Sequence, residues 1–381
     1  MHVTRRRRRG LLALAGLSAL LVTASAVPAT AATAQPRDAD PLQRAVDAVH
    51  DTGVVGVAAE VTSPDGSDSA RAGTAALGTD RRMPPDGRFR IGSATKTFTA
   101  TVVLQLVAEG RLSLDDTVER WLPGLVRADG VDGREITVRQ LLQHTSGIPD
   151  VLPEADALLT ADGYRSDRFR TFTPEELVGL ALRQPLPETE WSYSNTNYIL
   201  AAMIVHEVTG RSWEREVTDR IIRPLGLADT SAPGSFPFIL GPHARAYTGF
   251  GTDAAIDVTL LNPSMAVGSG SIISTTHDLN RFFAALFDGR LLEPAELAEM
   301  TATVPAPDLG VDYGLGVAEI PLSCGGSYYG HVGELLGYRA LAGATPDGSG
   351  TAVVYATGDG DRGTQAAMMA LVDQELCATG S

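Results

Sequence analysis

Apolar residues recur with two different spacings along the chain, and the order of these segments predicts an α+β fold. Helical spacing predicts helices over 42–50, 97–109, 138–144, 198–209, 276–288 and 363–377. Short apolar runs bounded by turn residues predict strands over 54–62, 70–78, 313–320, 327–331, 337–344 and 350–356. Because strands fall at both ends of the chain, we expect one sheet built from both ends with a helical insertion between them.

Short connections between the strands favour antiparallel pairing, since parallel strands need long crossovers. We therefore expect an α/β sandwich, in which helices flank an antiparallel sheet. The sheet subdomain is predicted over about 42–95 and 310–378, and a mainly helical subdomain over about 110–290. Together they form one domain within residues 35–381.

The first 34 residues have the pattern of a secretory signal peptide. Arg5 to Arg9 form a positive segment, Leu11 to Val22 an apolar one, and small residues follow, with a cleavage site expected between Ala26 and Ala34. Both the Sec and the twin-arginine routes remain open, and an uncleaved N-terminal anchor is the alternative. No later run reaches about eighteen apolar residues, so we expect a secreted, extracellular protein without a membrane span.

The composition is that of a folded protein, with 44% hydrophobic and 20% charged residues. The net charge of −15 repels phosphate backbones, so it argues against a nucleic-acid partner. Two cysteines, Cys324 and Cys377, fall in the exported part. An even number of cysteines outside the cell favours a structural disulfide between them, with two buried free thiols as the alternative.

The first candidate for chemistry is the pair Ser93 and Lys96, three residues apart at the start of the predicted helix 97–109. One helical turn places such side chains on the same face, where a neutral lysine can accept the proton of a nucleophilic serine. Lys96 is the one lysine among 31 basic residues. Since arginine cannot lose its proton, this choice favours a functional amine. The alternative is a helix-capping serine beside a solvated lysine.

Two further motifs carry weaker signals when each is taken alone. Tyr193 and Asn195 form a Tyr-x-Asn sequence before a helix, where a phenol could relay a proton and an amide could hold a carbonyl. His331 and Gly333 lie at the end of a predicted strand, where glycine allows a ligand to approach the backbone. A capping asparagine and a packed histidine are the respective alternatives.

Taken in order, Ser-x-x-Lys, Tyr-x-Asn and His-x-Gly resemble the serine β-lactamase and penicillin-binding-protein superfamily. The chain is most similar to the secreted serine-type D-alanyl-D-alanine carboxypeptidases, and it also resembles the class C β-lactamases and esterases that are related to them. The likeness spans roughly residues 42–378. The sequence segments that support it are 89–93, 141–147, 193–198, 224–227, 268–274 and 330–338. The surroundings of Cys324 and the late Cys377 also look like the disulfide of those carboxypeptidases.

This resemblance implies a role for each motif residue. Ser93 would be the acylated nucleophile, Lys96 its proton partner and Tyr193 a second acid or base, and which of the latter two removes the serine proton stays open. The residues that would bind substrate are Asn195, His331, Gly333 and Glu334.

The backbone N–H groups of Ser93 and Glu334 would form the oxyanion hole. The resemblance implies no metal and no cofactor. It further implies a monomer that acts on a peptidoglycan stem peptide or a β-lactam.

The chain departs from the carboxypeptidase pattern at two places. Val332 replaces a threonine whose hydroxyl helps to hold the substrate carboxylate, and 316–320 contains no arginine or lysine. Recognition of a terminal D-alanine is therefore expected to be weak, while acyl transfer should be intact. An esterase or β-lactamase of the same fold is one alternative, and a non-catalytic penicillin-recognising protein is another. The chain contains no G-x-S-x-G or H-E-x-x-H motif, which argues against other hydrolase designs.

Overall fold

An antiparallel sheet formed from both ends of the chain organises the fold in a computed structural model. The structure describes residues 40–152, 160–252 and 254–379, so the predicted signal peptide lies outside the described residues. The strands are β1 Gly56–Ser63, β2 Gly66–Gly73, β3 Phe89–Arg90, β4 Arg127–Ala128, β5 Val131–Asp132, β6 Tyr247–Thr248, β7 Ile256–Asp257, β8 Ile273–Ser274, β9 Val304–Ala306, β10 Val311–Tyr313, β11 Ala318–Pro321, β12 Ser327–Leu335, β13 Tyr338–Ala344 and β14 Thr351–Thr357.

The helices lie at both ends and fill most of the middle. They are α1 Pro41–His50, α2 Thr95–Ala108, α3 Val118–Trp121, α4 Val138–Gln143, α5 Ala161–Asp167, α6 Pro174–Ala181, α7 Asn195–Thr209, α8 Trp213–Val217, α9 Arg223–Leu225, α10 Thr276–Phe287, α11 Pro294–Thr301 and α12 Thr364–Thr379. Single turns of 3₁₀-helix precede α2 at Gly92–Ala94 and occur at Pro263–Ala266, and a π-helical turn, Thr218–Ile222, joins α8 to α9.

The main sheet has the strand order β2-β1-β14-β13-β12-β11-β10-β9, and each neighbouring pair is antiparallel. Helices α1 and α12 pack together, with α12 against β13 and β14, and α10 also packs against β13 and β14. The buried apolar residues form two clusters, one containing α1 and α12 and the other containing α2, α7 and α10. The predicted α+β fold with an antiparallel sheet is confirmed.

Three strand predictions differ from the structure. The second strand begins at Gly66, four residues before the predicted start, because this edge strand pairs with β1 from the turn onward although its first residues are polar and exposed. The predicted strand 313–320 is two strands, β10 and β11, because Gly314 N–H donates to the Val317 carbonyl (2.8 Å) and closes a turn. Strand β12 runs on to Leu335, so the third motif lies inside a strand.

Helix α2 is a core helix, and its residues are buried around most of its circumference. Two of its threonines make long-range hydrogen bonds: Thr97 Oγ1 donates to the Gly316 carbonyl (2.7 Å) and Thr99 Oγ1 to the Gly268 carbonyl (2.7 Å). Buried hydroxyls without partners would cost about 1–3 kcal/mol each. These bonds therefore hold the start of α2 at one position relative to its neighbours.

A disulfide joins Cys324, in the turn between β11 and β12, to Cys377 near the end of α12. Its Cα atoms are 5.8 Å apart, and it closes a segment of 53 residues. The predicted pairing is thereby present in the structure. Among the described residues, no helix combines the length and the apolar character that crossing a membrane requires.

We predict that replacing Cys324 and Cys377 together by serine lowers the free energy of unfolding by about 2–4 kcal/mol, because the unfolded chain regains the entropy of a closed loop. Urea denaturation of the oxidised wild type and of the double variant measures the difference. The reduced wild type should unfold like the double variant. An unchanged denaturation midpoint in that variant would contradict the prediction.

Candidate active site

Ser93 lies in the 3₁₀ turn before α2, and this turn packs directly against β12. A Cβ added at Gly92 would lie 2.5 Å from the nitrogen of Glu334, and one added at Gly333 would lie 2.0 Å from the carbonyl oxygen of Ile91. Such distances leave no room for a side chain, so both glycines are required for the two backbones to touch. This contact fixes the predicted nucleophile beside the third motif.

The part of β12 that faces Ser93 is an open strand edge. Strand β11 pairs with β12 at 327–330, and among the described strands only β13 pairs with 331–335. Leu335 and Tyr338 close a two-residue hairpin and form a hydrogen-bonded pair, so Glu334 belongs to the next, non-hydrogen-bonded pair. Its N–H therefore points away from β13, toward the turn that carries Ser93.

Lys96 is fully buried, and its amine lies in the centre of the predicted catalytic group. Nζ donates to Ser93 Oγ (3.1 Å), to Asn195 Oδ1 (2.7 Å) and to the Ser269 carbonyl (2.9 Å). Burial lowers the pKa of Lys96 to about 7, against the opposing effect of the Asp150 carboxylate. The amine can therefore hold or release a proton near neutral pH.

Tyr193 faces the same amine, since Lys96 Nζ is 4.8 Å from the centre of its ring. Burial raises the pKa of the Tyr193 phenol well above its usual range, although a hydrogen bond with Ser93 acts in the opposite direction. The ring packs on the His144 imidazole with centroids 4.3 Å apart. A neutral phenol held against Ser93 can pass a proton between the serine and a leaving group.

Asn195 is the first residue of α7, and its amide is held in one orientation from both sides. Its Nδ2 donates to the Asp150 carboxylate (3.1 Å), and its N–H donates to Asp150 Oδ1 (3.0 Å). Because the carboxylate can only accept, Nδ2 must face Asp150 and Oδ1 must face Lys96. Burial raises the pKa of Asp150, while these hydrogen bonds and the Lys96 charge lower it.

His331 lies behind the cavity rather than on its wall, and only 4% of its surface is exposed. Burial lowers the pKa of His331 to about 3, so the ring is neutral. Its Nδ1 is 2.5 Å from the Val332 carbonyl, which can only accept, so Nδ1 carries the hydrogen and Nε2 accepts from the Tyr313 hydroxyl (2.9 Å). In this position the ring supports β12 and lies 6.4 Å from the Tyr193 ring.

A cavity of about 470 Å³ opens in front of Ser93. It is lined by Ser93, Asp150, Leu152, Tyr193, Asn195, Thr248, Phe250, Met265, Ala266, Ser269, Gly270, Glu334, Leu335, Leu336, Gly337 and Asp359. Among these described residues three carry carboxylates and none is a lysine or arginine. Of the predicted site residues, Ser93, Tyr193, Asn195 and Glu334 line the cavity, and Lys96, His331 and Gly333 lie behind them.

Asp150 and His144 were not singled out from the sequence, although both belong to the segment between α4 and α7. His144 ends α4 in a left-handed conformation (φ 63°), and its Nδ1 accepts from the Ser194 N–H (3.2 Å). Burial lowers the pKa of His144 well below its usual range, so the ring remains a neutral acceptor. The string 141–147 contains His144 but gives no indication of its contacts with the Tyr-x-Asn motif, and nothing local marks Asp150.

Within the described ranges, no group of three histidine, cysteine or carboxylate side chains has the arrangement of a metal site. The groups available for chemistry at the cavity are a serine hydroxyl, a lysine amine whose pKa is close to neutral pH, a neutral phenol and backbone N–H donors. This set suits nucleophilic attack on a carbonyl group.

Comparison with known proteins finds one matching family and several similar structures. The protein-family model described as Beta-lactamase matches residues 40–375. The structure resembles a D-stereospecific amidohydrolase from Streptomyces sp., with 41% identity, a TM-score of 0.81 and coverage of 88% of this chain and 98% of that one. It also resembles the D-amino acid amidase of Ochrobactrum anthropi SV3 in complex with L-phenylalanine amide, with 29% identity, a TM-score of 0.78 and coverage of 89% and 97%.

Penicillin-binding protein 4 of Amycolatopsis lactamdurans is 37% identical over 150 residues, which are 39% of this chain and 37% of that protein. The first of the curated relatives is matched over 61% of its length and the second over 29%. The chain thus spans only part of these curated relatives.

The position of Asp150 predicts a specific change in the pH dependence of activity. In Asp150→Asn the negative charge that stabilises protonated Lys96 is lost, so the pKa of Lys96 falls further. If neutral Lys96 accepts the serine proton, the acid limb of kcat/KM should move to lower pH by about one unit, equivalent to about 1.4 kcal/mol.

If Tyr193 is the base and protonated Lys96 the active form, the alkaline limb should instead move to lower pH. Initial rates with an ester substrate, measured between pH 5 and 10, distinguish Lys96 from Tyr193 as the base. Asp162→Asn, on the exposed face of α5, is the matched control and should leave both limbs in place. An unchanged profile in Asp150→Asn would refute the coupling.

Proposed function

Because this chain belongs to the beta-lactamase family, we propose that it is a serine hydrolase that forms an acyl-enzyme at Ser93 with D-amino-acyl amides and esters, D-alanyl peptides included. The observation that carries the proposal is the fully buried Lys96 amine, which lies 3.1 Å from Ser93 Oγ. Burial lowers the pKa of this amine toward neutrality. Such an amine can take the serine proton at neutral pH, which an ordinary lysine cannot do.

In the proposed acylation, Ser93 Oγ attacks the substrate carbonyl carbon while its proton passes to Lys96 or Tyr193. The oxygen of the tetrahedral intermediate accepts from the N–H groups of Ser93 and Glu334. When the intermediate collapses, the bond from carbon to the leaving group breaks and the transferred proton ends on the leaving amine or alcohol. Water then attacks the acyl-enzyme and gives up a proton to the same groups. The bond from the acyl carbon to Ser93 Oγ breaks, the acid product leaves, and the proton from water passes to Ser93 Oγ.

The cavity favours substrates without a free carboxylate at the leaving end. Its charged lining residues are Asp150, Glu334 and Asp359, and such a set repels an anion and attracts an ammonium group. Arg339 lies near the site but pairs with Glu334 (3.6 Å). Val332 packs with the apolar cluster that contains α12 and adds no donor. An amino acid amide, which is cationic at its amine and neutral at its carbonyl, fits this charge distribution.

The names of the similar solved structures support the same substrate class, since they describe a D-stereospecific amidohydrolase and a D-amino acid amidase. The second candidate is a D-alanyl-D-alanine carboxypeptidase that also reacts with penicillin. The likeness to a penicillin-binding protein supports it, because the acyl-enzyme chemistry would be the same.

We also propose that the protein is exported. The arginine-rich and apolar pattern of residues 1–34 supports this, and so does the disulfide, which persists in oxidising compartments.

The proposal predicts that Ser93→Ala abolishes covalent labelling by a fluorescent penicillin and hydrolysis of D-alanine amide. Intact-mass analysis after incubation should show one added acyl group on the wild type and none on Ser93→Ala. Ser166→Ala, an exposed serine on α5, should label like the wild type. Labelling that persists in Ser93→Ala would disprove the assignment of the nucleophile.

The acidic lining predicts that Glu334→Gln favours substrates with a carboxylate. The backbone N–H stays in place, while one negative charge is removed and Arg339 loses its partner. The ratio of kcat/KM for an N-acyl-D-Ala-D-Ala peptide to that for D-alanine amide should rise about two- to fivefold, the size expected of one exposed charge pair.

The control is Glu207→Gln, because Glu207 lies far along α7 from Asn195. Its ratio of the two kcat/KM values should equal that of the wild type. A ratio that falls in Glu334→Gln would contradict the electrostatic argument.

A further inference from the structure

The hairpin between β12 and β13 turns through Leu336 and Gly337, both of which have positive φ (32° and 72°). A two-residue connection with positive φ at both positions is the type I′ pattern, in which asparagine, aspartate or glycine is strongly preferred first. Glycine is the usual residue at the second position, and Gly337 fits that preference. A Cβ at Gly337 would lie 2.6 Å from the Tyr247 carbonyl oxygen. Leucine at the first position is unfavourable for the turn, so its presence needs another reason.

The position of Leu336 supplies that reason, because Leu336 is one of the residues that line the cavity containing Ser93. Phe250 lines the same cavity and also has a positive φ (48°). In the described part of the chain, the other non-glycine residue with positive φ is His144, which packs on Tyr193. Unfavourable backbone conformations are thus concentrated around the site, as they are where side-chain position matters for function.

We propose that Leu336 determines substrate specificity by contacting the side chain of an apolar, aromatic-sized D-amino-acyl group. The apolar lining residues Leu152, Phe250, Met265, Leu335 and Leu336 surround that side chain, and the cavity of about 470 Å³ lies within the range of small-molecule sites. This inference rests on the proposed hydrolase function and adds the class of acyl donor to it.

Acidic and apolar residues together line the cavity, and this combination fits one kind of ligand. The carboxylates suit the free amine of an amino acid, while the apolar residues suit its side chain. A small residue such as D-alanine would leave most of the apolar surface uncovered, so larger apolar acyl groups should gain more binding in the transition state.

A purely structural role for Leu336 makes the opposite prediction about stability. Leu336 is partly buried and packs against the larger apolar cluster. If that packing were its purpose, Leu336→Asn would lower the unfolding temperature and reduce the turnover of all substrates alike. If its purpose is substrate contact, asparagine should suit the turn better and leave the unfolding temperature equal to the wild type or about 1–3 °C higher.

The test measures kcat/KM for D-phenylalanine amide and D-alanine amide, together with the unfolding temperature. In Leu336→Asn the ratio of the two kcat/KM values should fall about tenfold. Leu336→Met keeps an apolar side chain and should retain most of the wild-type ratio. Leu309→Asn makes the same change at an exposed leucine that also precedes a glycine and does not line the cavity, and it should change neither the ratio nor the rates.

An unchanged ratio in Leu336→Asn, or an equal loss on both substrates with a lower unfolding temperature, would overturn the inference and leave the proposed hydrolase function standing. If the wild type hydrolyses neither amide and is not acylated by penicillin, the proposed function and the inference fail together.

Discussion

The burial of one lysine amine is the constraint on which the rest of the site depends. A charged ammonium group in a low-dielectric interior is unfavourable, so Lys96 is held there by three acceptors and by the nearby Asp150 carboxylate. Each acceptor belongs to a different segment: the turn before α2, the start of α7 and the loop at Ser269. The same burial that makes the amine costly as a cation brings its pKa close to neutrality, which is what a proton acceptor for serine needs.

A second constraint is the contact between the Ser93 turn and the open edge of β12. The absence of side chains at Gly92 and Gly333 lets the two backbones meet, and β11 begins opposite Gly330, so it leaves the edge at 331–335 uncovered. Antiparallel alternation then directs the Glu334 N–H toward Ser93 without any side chain being involved. The sheet therefore contributes the Glu334 N–H to the site, while Lys96 comes from α2 and Asp150 and Tyr193 come from the segment between α4 and α7.

The sheet and the helices meet at the cavity, where the requirements of stability and of function differ. Leu336 and Phe250 adopt conformations that L-residues avoid, and both line the cavity while packing on one side against the larger apolar cluster. The carboxylates of Asp150, Glu334 and Asp359 line the same cavity, where a cationic amine can be recognised. Sites of this kind retain locally unfavourable groups because the surrounding structure is rigid enough to hold them.

The sequence by itself determined the features that depend on local geometry. One helical turn brings Ser93 and Lys96 together, hairpin connections make the sheet antiparallel, and two cysteines leave one intramolecular pairing. Only the tertiary structure decided which groups surround the lysine, since Asn195 and Ser269 lie 99 and 173 residues from it in the chain. The break between β10 and β11 is local, since it follows from a turn at Gly314 that the apolar spacing of 313–320 does not mark. The orienting role of Asp150 and the free edge of β12 were not predictable, because each depends on contacts between distant segments that no local pattern records.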